Sequence, residues 1–136
     1  MIELSDLARL TAGVVLLATT AVASGGFFLT KVARGTVPVT PFQQAFFRAG
    51  HAHAGVLIIL GLVCLLLTEA SSLSGGWQWL SRSGVLVAAI LMPAGFFLSA
   101  VGAGRTRPNR FIVLLWAGAA LLVAGLGACG VGLLVA

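Results

Sequence analysis

Four long apolar runs constrain this chain more than any other feature. They lie near Leu7–Thr30, Gly50–Thr68, Val85–Gly104 and Phe111–Val135. Each is close to the roughly 20 helical residues that a bilayer crossing takes. Charged residues make up 8% of the 136 residues, and mean hydropathy is +1.12. A soluble domain carries about 25% charged residues, so this chain lacks the polar surface to face water. Lipid offers the backbone no hydrogen-bond partners, which leaves helices and closed barrels as the only spanning structures. The runs are continuous and lack the alternation of barrel strands. The sequence therefore predicts an all-α membrane protein, a single domain of four transmembrane helices in contact with the lipid bilayer.

Local signals refine this picture. Ser5 ahead of Asp6 predicts an N-cap and an acid in the first turn of the first helix. Pro93 predicts a kink in the third. The stretch "AVAS" (Ala21–Ser24) looks like a signal-peptidase site. The N-terminus, however, carries Glu3 and Asp6 with only Arg9, not a basic leader, so the first span is expected in the mature protein. Cys64 and Cys129 fall inside apolar runs, where cysteine behaves as a small buried apolar residue.

The net charge of +5 could suggest a nucleic-acid partner. Its cations instead sit in short loops, which predicts a role in topology and lipid headgroups and no nucleic acid. Lys31, Arg34 and Arg48 flank one connection, and Arg105, Arg107 and Arg110 another. The opposite side has only Arg9 and Arg82, beside Glu3, Asp6 and Glu69. The positive-inside rule then predicts that loops 31–49 and 104–110 are cytoplasmic and that both termini are outside. In a bacterial host the membrane would be the plasma membrane. Trp77 and Trp79, in "SGGWQWLSRSG", suit the outer interface.

Spans one and three end alike, in "GGFFLTKVARGT" (25–36) and "AGFFLSAVGAGRT" (94–106). Each contains Gly-Phe-Phe-Leu, then a hydroxyl residue, then Val two positions on. The chain thus reads as two repeated helical hairpins. Span four has no counterpart to the two histidines of span two.

Those histidines, His51 and His53, are the only two in the chain and lie in "RAGHAHAG". They are placed at the first turns of span two, near the cytoplasmic interface. Polar groups within a membrane helix usually have a partner or a function. Residues two apart on a helix point about 200° apart, so the pair cannot chelate one metal from one face. One histidine could serve as an axial ligand while the other faces a second groove or subunit. The neighbours Ala49, Gly50, Ala52, Ala54 and Gly55 are small enough to admit another helix or a flat macrocycle. Haem iron is commonly held by histidine, and Arg48, Arg105, Arg107 and Arg110 could pair with haem propionates. A histidine pair bonded only to backbone and water fits the same residues. No Ser-His-Asp set can be assembled, no phosphate loop follows a strand, and no charge sits at mid-membrane.

"RAGHAHAG" followed by "PAGFFLSAVGAGRTRPNR" resembles the styrene oxide isomerase family of small four-helix membrane proteins, with hydroxylaminobenzene mutase-like relatives. The family's Arg-Ala-His-Ser-Gly is matched by Arg48 and His53-Ala54-Gly55. Its Gly-Phe-Tyr-Leu and Pro-Asn-Arg are matched by Gly95–Leu98 and Pro108–Arg110. The resemblance implies a homotrimer binding haem b through that histidine, His53 or else His51, at contacts between subunits. It implies ferric iron acting as a Lewis acid on the oxygen of a small hydrophobic epoxide, giving a carbonyl product by hydride shift. Phe96, Phe97 and Ile59 are the candidate pocket residues. The family's tyrosine is Phe97 here, its asparagine falls at about Ile59, and its aspartate near Ala89. The haem ligand carries over and the polar substrate-positioning groups do not. Two other readings stand beside this one: a non-catalytic haem protein for sensing or electron transfer, and a haem-free packing or assembly subunit.

Overall fold

The computed structural model describes residues 3–136. It is all-helical, with α1 over Asp6–Ala33, α2 over Pro41–Thr68, α3 over Gly75–Ala100 and α4 over Ile112–Leu134. All four are long and apolar enough to cross a membrane. Large apolar side chains such as Leu17, Phe27, Ile90, Trp116 and Val123 lie exposed on the outside, as a lipid solvent permits.

Capping chemistry sets the ends. The Ser5 hydroxyl accepts from the Ala8 amide, and Asp6 follows in the first turn. Helix α1 stops at Gly35, whose φ of 70° suits glycine. The Gly35 amide donates to the Val32 carbonyl and the Thr36 amide to that of Lys31, a Schellman closure. Helix α2 starts nine residues ahead of its apolar run. Thr40 and Gln43 form a reciprocal capping box with Pro41 in the first turn, a strong start signal that hydropathy does not register. Likewise α3 begins ten residues ahead of Val85, includes Trp77, Trp79 and Arg82, and ends at Ala100 rather than Gly104. It continues through Pro93.

Helix α3 is the centre of the bundle. It packs along both α2 and α4, whereas α1 packs on α2 alone and makes no close approach to α3. Glycines bring α3 and α4 together. A Cβ on Gly95 would stand 2.4 Å from the Leu115 amide nitrogen, one on Gly118 2.9 Å from that of Met92, and one on Gly125 3.0 Å from that of Val85. Close backbone approach at small residues is how membrane helices gain packing energy without a hydrophobic drive. The core between α2, α3 and α4 contains Leu57, Ala89 and Met92, then Cys64, Val85 and Cys129. Both cysteines are buried and free, matching the apolar role expected of them.

Polar ties close the two ends. At one end Gln43 is buried, and its amide nitrogen donates to the carbonyls of Ala100 (2.9 Å) and Gly102 (2.7 Å). Its amide oxygen accepts from the Thr40 amide. Asn109 donates from its side chain to the Leu98 carbonyl and from its backbone to that of Ser99. These bonds satisfy carbonyls that the end of α3 would otherwise leave orphaned. At the other end Arg82 pairs with Glu69, and Glu69 also accepts from the Ser5 amide at 2.8 Å. The Ser5 amide bond and, next, the Arg82 guanidinium hold the Glu69 carboxyl below its ordinary pKa, against the opposing effect of burial. Beside them the Thr68 and Ser81 hydroxyls share a buried hydrogen bond of 2.6 Å.

Candidate functional site

Because α2 starts at Pro41, the histidines lie ten and twelve residues into it, about 15–18 Å along the axis. They are not in its first turns as the apolar run suggested. The two imidazoles face opposite ways, as their spacing requires, and each has a distinct neighbour.

His51 faces α1. A Cβ on Gly25 would lie 3.3 Å from its Nδ1, and one on Gly26 3.8 Å from its Nε2. Both ring nitrogens therefore look onto the paired glycines of α1. Arg48, three residues earlier, lies on the same side of α2. It lines a crevice of about 470 Å³ between α1 and α2 with Leu29, Thr30 and Gln44.

His53 faces α3. Its Nδ1 lies 2.7 Å from the Ala49 carbonyl oxygen. A carbonyl can only accept, so Nδ1 carries the proton and Nε2 keeps its lone pair, the tautomer a metal ligand needs. The ring lies 4.9 Å from that of Phe96. Phe96 packs edge-on against Phe46, and Phe46 against Phe42. Phe42, Phe46 and His53 form a half-buried stripe along α2, with Phe96 over it.

Within the chain Phe96 and Phe97 face different neighbours. The two phenylalanines diverge on either side of Gly50, where a Cβ would meet the Phe97 ring at 2.9 Å and the Phe96 Cβ at 3.0 Å. Phe97 stacks on Phe47, which meets Phe28 of α1. Adjacent helical residues point about 100° apart, enough to send one ring to each histidine's side. Ile59 is 67% exposed and points away from the bundle. Arg48 lies about 140° around α2 from His53, so it keeps company with His51. Arg105, Arg107 and Arg110 occupy the α3–α4 connection. The Arg105 carbonyl accepts from the Thr40 hydroxyl, which ties that connection to the α2 end where the Phe42–Phe46 stripe begins. Arg110 sits over the Phe111 ring at 5.5 Å.

Among the described residues no three His, Cys, Asp or Glu side chains gather to hold a metal ion. Of the two histidines, only His53 has a ring nitrogen within hydrogen-bond distance of a backbone carbonyl. Sequence reasoning missed Gln43 and the fold-bearing role of Asn109. The Thr40-Pro41-Phe42-Gln43 capping signature could have found the first, while the second needs the loop's path. Family models, curated proteins and solved structures give no match to this chain.

Proposed function

We propose that this chain is an integral membrane haem-b protein in which His53 holds the iron, and that it works as a haem-dependent isomerase on a small hydrophobic epoxide. The observation that carries the reading is the His53 imidazole, fixed by the Ala49 carbonyl with Nε2 free on a half-buried aromatic face. The resemblance of "RAGHAHAG" and "GFFLSAVGAGRTRPNR" to styrene oxide isomerases supplies the reaction class. When bound, ferric haem would supply a Lewis acid for the epoxide oxygen, so no buried carboxylate is needed. The chain's own part is to orient His53, to exclude water with Phe46 and Phe96, and to offer Arg105, Arg107 and Arg110 to the propionates. Arg48 does not share that face and drops out of the set within one protomer. A half-open His53 face is what a cofactor shared between subunits of a trimer requires.

Charge pairing supports the proposed orientation. Arg9 and Arg82 each pair with an acid, whereas the six cations at the other end of the bundle have no acidic residue near them in sequence. Six cations at that end against two at the other support a cytoplasmic position for loops 31–49 and 104–110, with both termini outside. The shared Gly-Phe-Phe-Leu ends favour an origin of the two hairpins by duplication.

The test is the visible spectrum of haem-supplemented, detergent-purified protein. His53→Ala should lose the Soret band, while His51→Ala should keep it. Epoxide turnover should follow the band. Absence of a band in the wild type would sink the reading in favour of a packing subunit. A six-coordinate, ligand-unreactive iron without turnover would reassign the protein to electron transfer.

A further inference from the structure

Because α1 leans on α2 alone, a groove remains between α1 and α3 with α2 as its floor. It has a volume of about 380 Å³ and is lined by Thr11, Val15 and Ala18 of α1, Ile58 of α2, and Ser83 and Ala89 of α3, among others. Small-molecule sites are typically about 300–1,000 Å³, largely apolar, with a few placed polar groups.

The polar groups are what set this groove apart. A hydroxyl inside a membrane helix normally returns its proton to a backbone carbonyl one turn back. Thr19, Thr20, Ser24, Thr30, Thr68 and Ser99 all do so, and Ser81 bonds Thr68. Thr11 and Ser83 have no such bond among the described residues, and they line the groove from its two opposite walls. The groove thus carries hydrogen-bonding capacity that these residues do not satisfy among themselves, in an otherwise apolar wall.

We infer that this groove binds a small, uncharged, largely apolar molecule bearing a hydroxyl, which enters sideways from the bilayer. A hydroxyl both donates and accepts, so it can engage the hydroxyls of Thr11 and Ser83 that line the groove. The groove is lined by the N-terminal half of α1 and the middle of α3, and His53 is not among its lining residues. The inference therefore stands whether or not haem binds.

The experiment is photolabelling of the full chain in lipid nanodiscs with a benzyl alcohol bearing a trifluoromethyl diazirine, and with its toluene analogue. Labels are mapped by mass spectrometry. The alcohol should label groove residues saturably, and benzyl alcohol should compete. Thr11→Val and Ser83→Ala are near-isosteric and should each weaken labelling about fivefold, as the loss of one hydrogen bond implies. Circular dichroism checks that both variants fold. Three results would overturn the inference. Labels spread evenly over lipid-facing residues would show mere partitioning. Equal groove labelling by the toluene analogue would show an apolar gap that an acyl chain fills. Labels excluded from the groove, with cross-links between copies there, would show that a second copy covers it.

Discussion

The two helical hairpins use similar residues and make opposite joints. In α3–α4 the glycines meet backbone: Gly95 presses on the Leu115 amide, Gly118 on Met92, and Gly125 on Val85. In α1–α2 the glycines meet a side chain, because Gly25 and Gly26 receive the imidazole of His51. Backbone cannot yield without moving a whole helix, whereas a ring can turn about two bonds. The first joint is therefore rigid and the second soft. The soft hairpin also borders both crevices of interest, the one at Arg48 and the groove at Thr11 and Ser83. Rigidity is concentrated in α2–α4, which hold His53, and α1 is the helix free to adjust.

The sharpest way to break this contrast is Gly95→Ala. Its new Cβ would sit 2.4 Å from the Leu115 nitrogen, so α4 must shift along much of its length. We expect a loss of roughly 3 kcal/mol or more, read as a large drop in thermal unfolding temperature in detergent. A mild effect would mean that α4 is no more firmly held than α1.

Gln43→Ala comes next. It removes two donors from the carbonyls of Ala100 and Gly102 and one acceptor from the Thr40 amide. Leaving buried polar groups unpaired costs about 1–3 kcal/mol. The loss should appear in thermal unfolding together with faster proteolysis in the 101–111 connection, because Gln43 holds the start of that connection to α2 beside the Thr40–Arg105 bond. Unchanged proteolysis would refute the tie.

Sequence alone made the four helices legible, since the apolar runs are long and interrupted only by polar connections. The opposed histidines were legible too, because helical rotation requires it. The starts of α2 and α3 were not: Pro41 and Gly75 precede the apolar runs, and first turns rich in glycine and polar residues look like loops to hydropathy. Nor could sequence pair each histidine with its neighbour. That His51 meets Gly25 and that His53 meets Phe96 depends on where α1 and α3 dock. The split of Phe96 from Phe97 was foreseeable from their 100° separation, but the resemblance drew them to one pocket.

Glu69→Gln tests the tie between the start of α1 and the end of α2. Glu69 holds the start of α1 through the Ser5 amide and pairs with Arg82. Its carboxyl titrates below the ordinary range. A group depressed on folding adds stability that is fully present above its unfolded pKa and is lost as pH falls through its folded one. Wild-type unfolding temperature should therefore decline on acidification below the usual carboxylate range. The variant should start about 1–2 kcal/mol lower at neutral pH, because Gln keeps hydrogen-bonding atoms for Ser5 and Arg82 but loses the charge, and it should lose less on acidification. Parallel curves for the two proteins would remove Glu69 from the account.

The smallest effect belongs to Gly25→Ala, and its smallness is the point. The added methyl would lie 3.3 Å from His51 Nδ1, a contact the imidazole relieves by a modest rotation. Alanine also favours a helix over glycine by about 1 kcal/mol, which offsets the crowding. The net change should stay within about 0.5 kcal/mol, several-fold below Gly95→Ala in the same detergent. His53 faces the other way, so a haem band should survive this variant unchanged. A loss as large as that of Gly95→Ala would show that α1 is clamped as firmly as α4. The groove beside it would then be a fixed cleft, and sideways access from the bilayer would have to occur without any movement of α1.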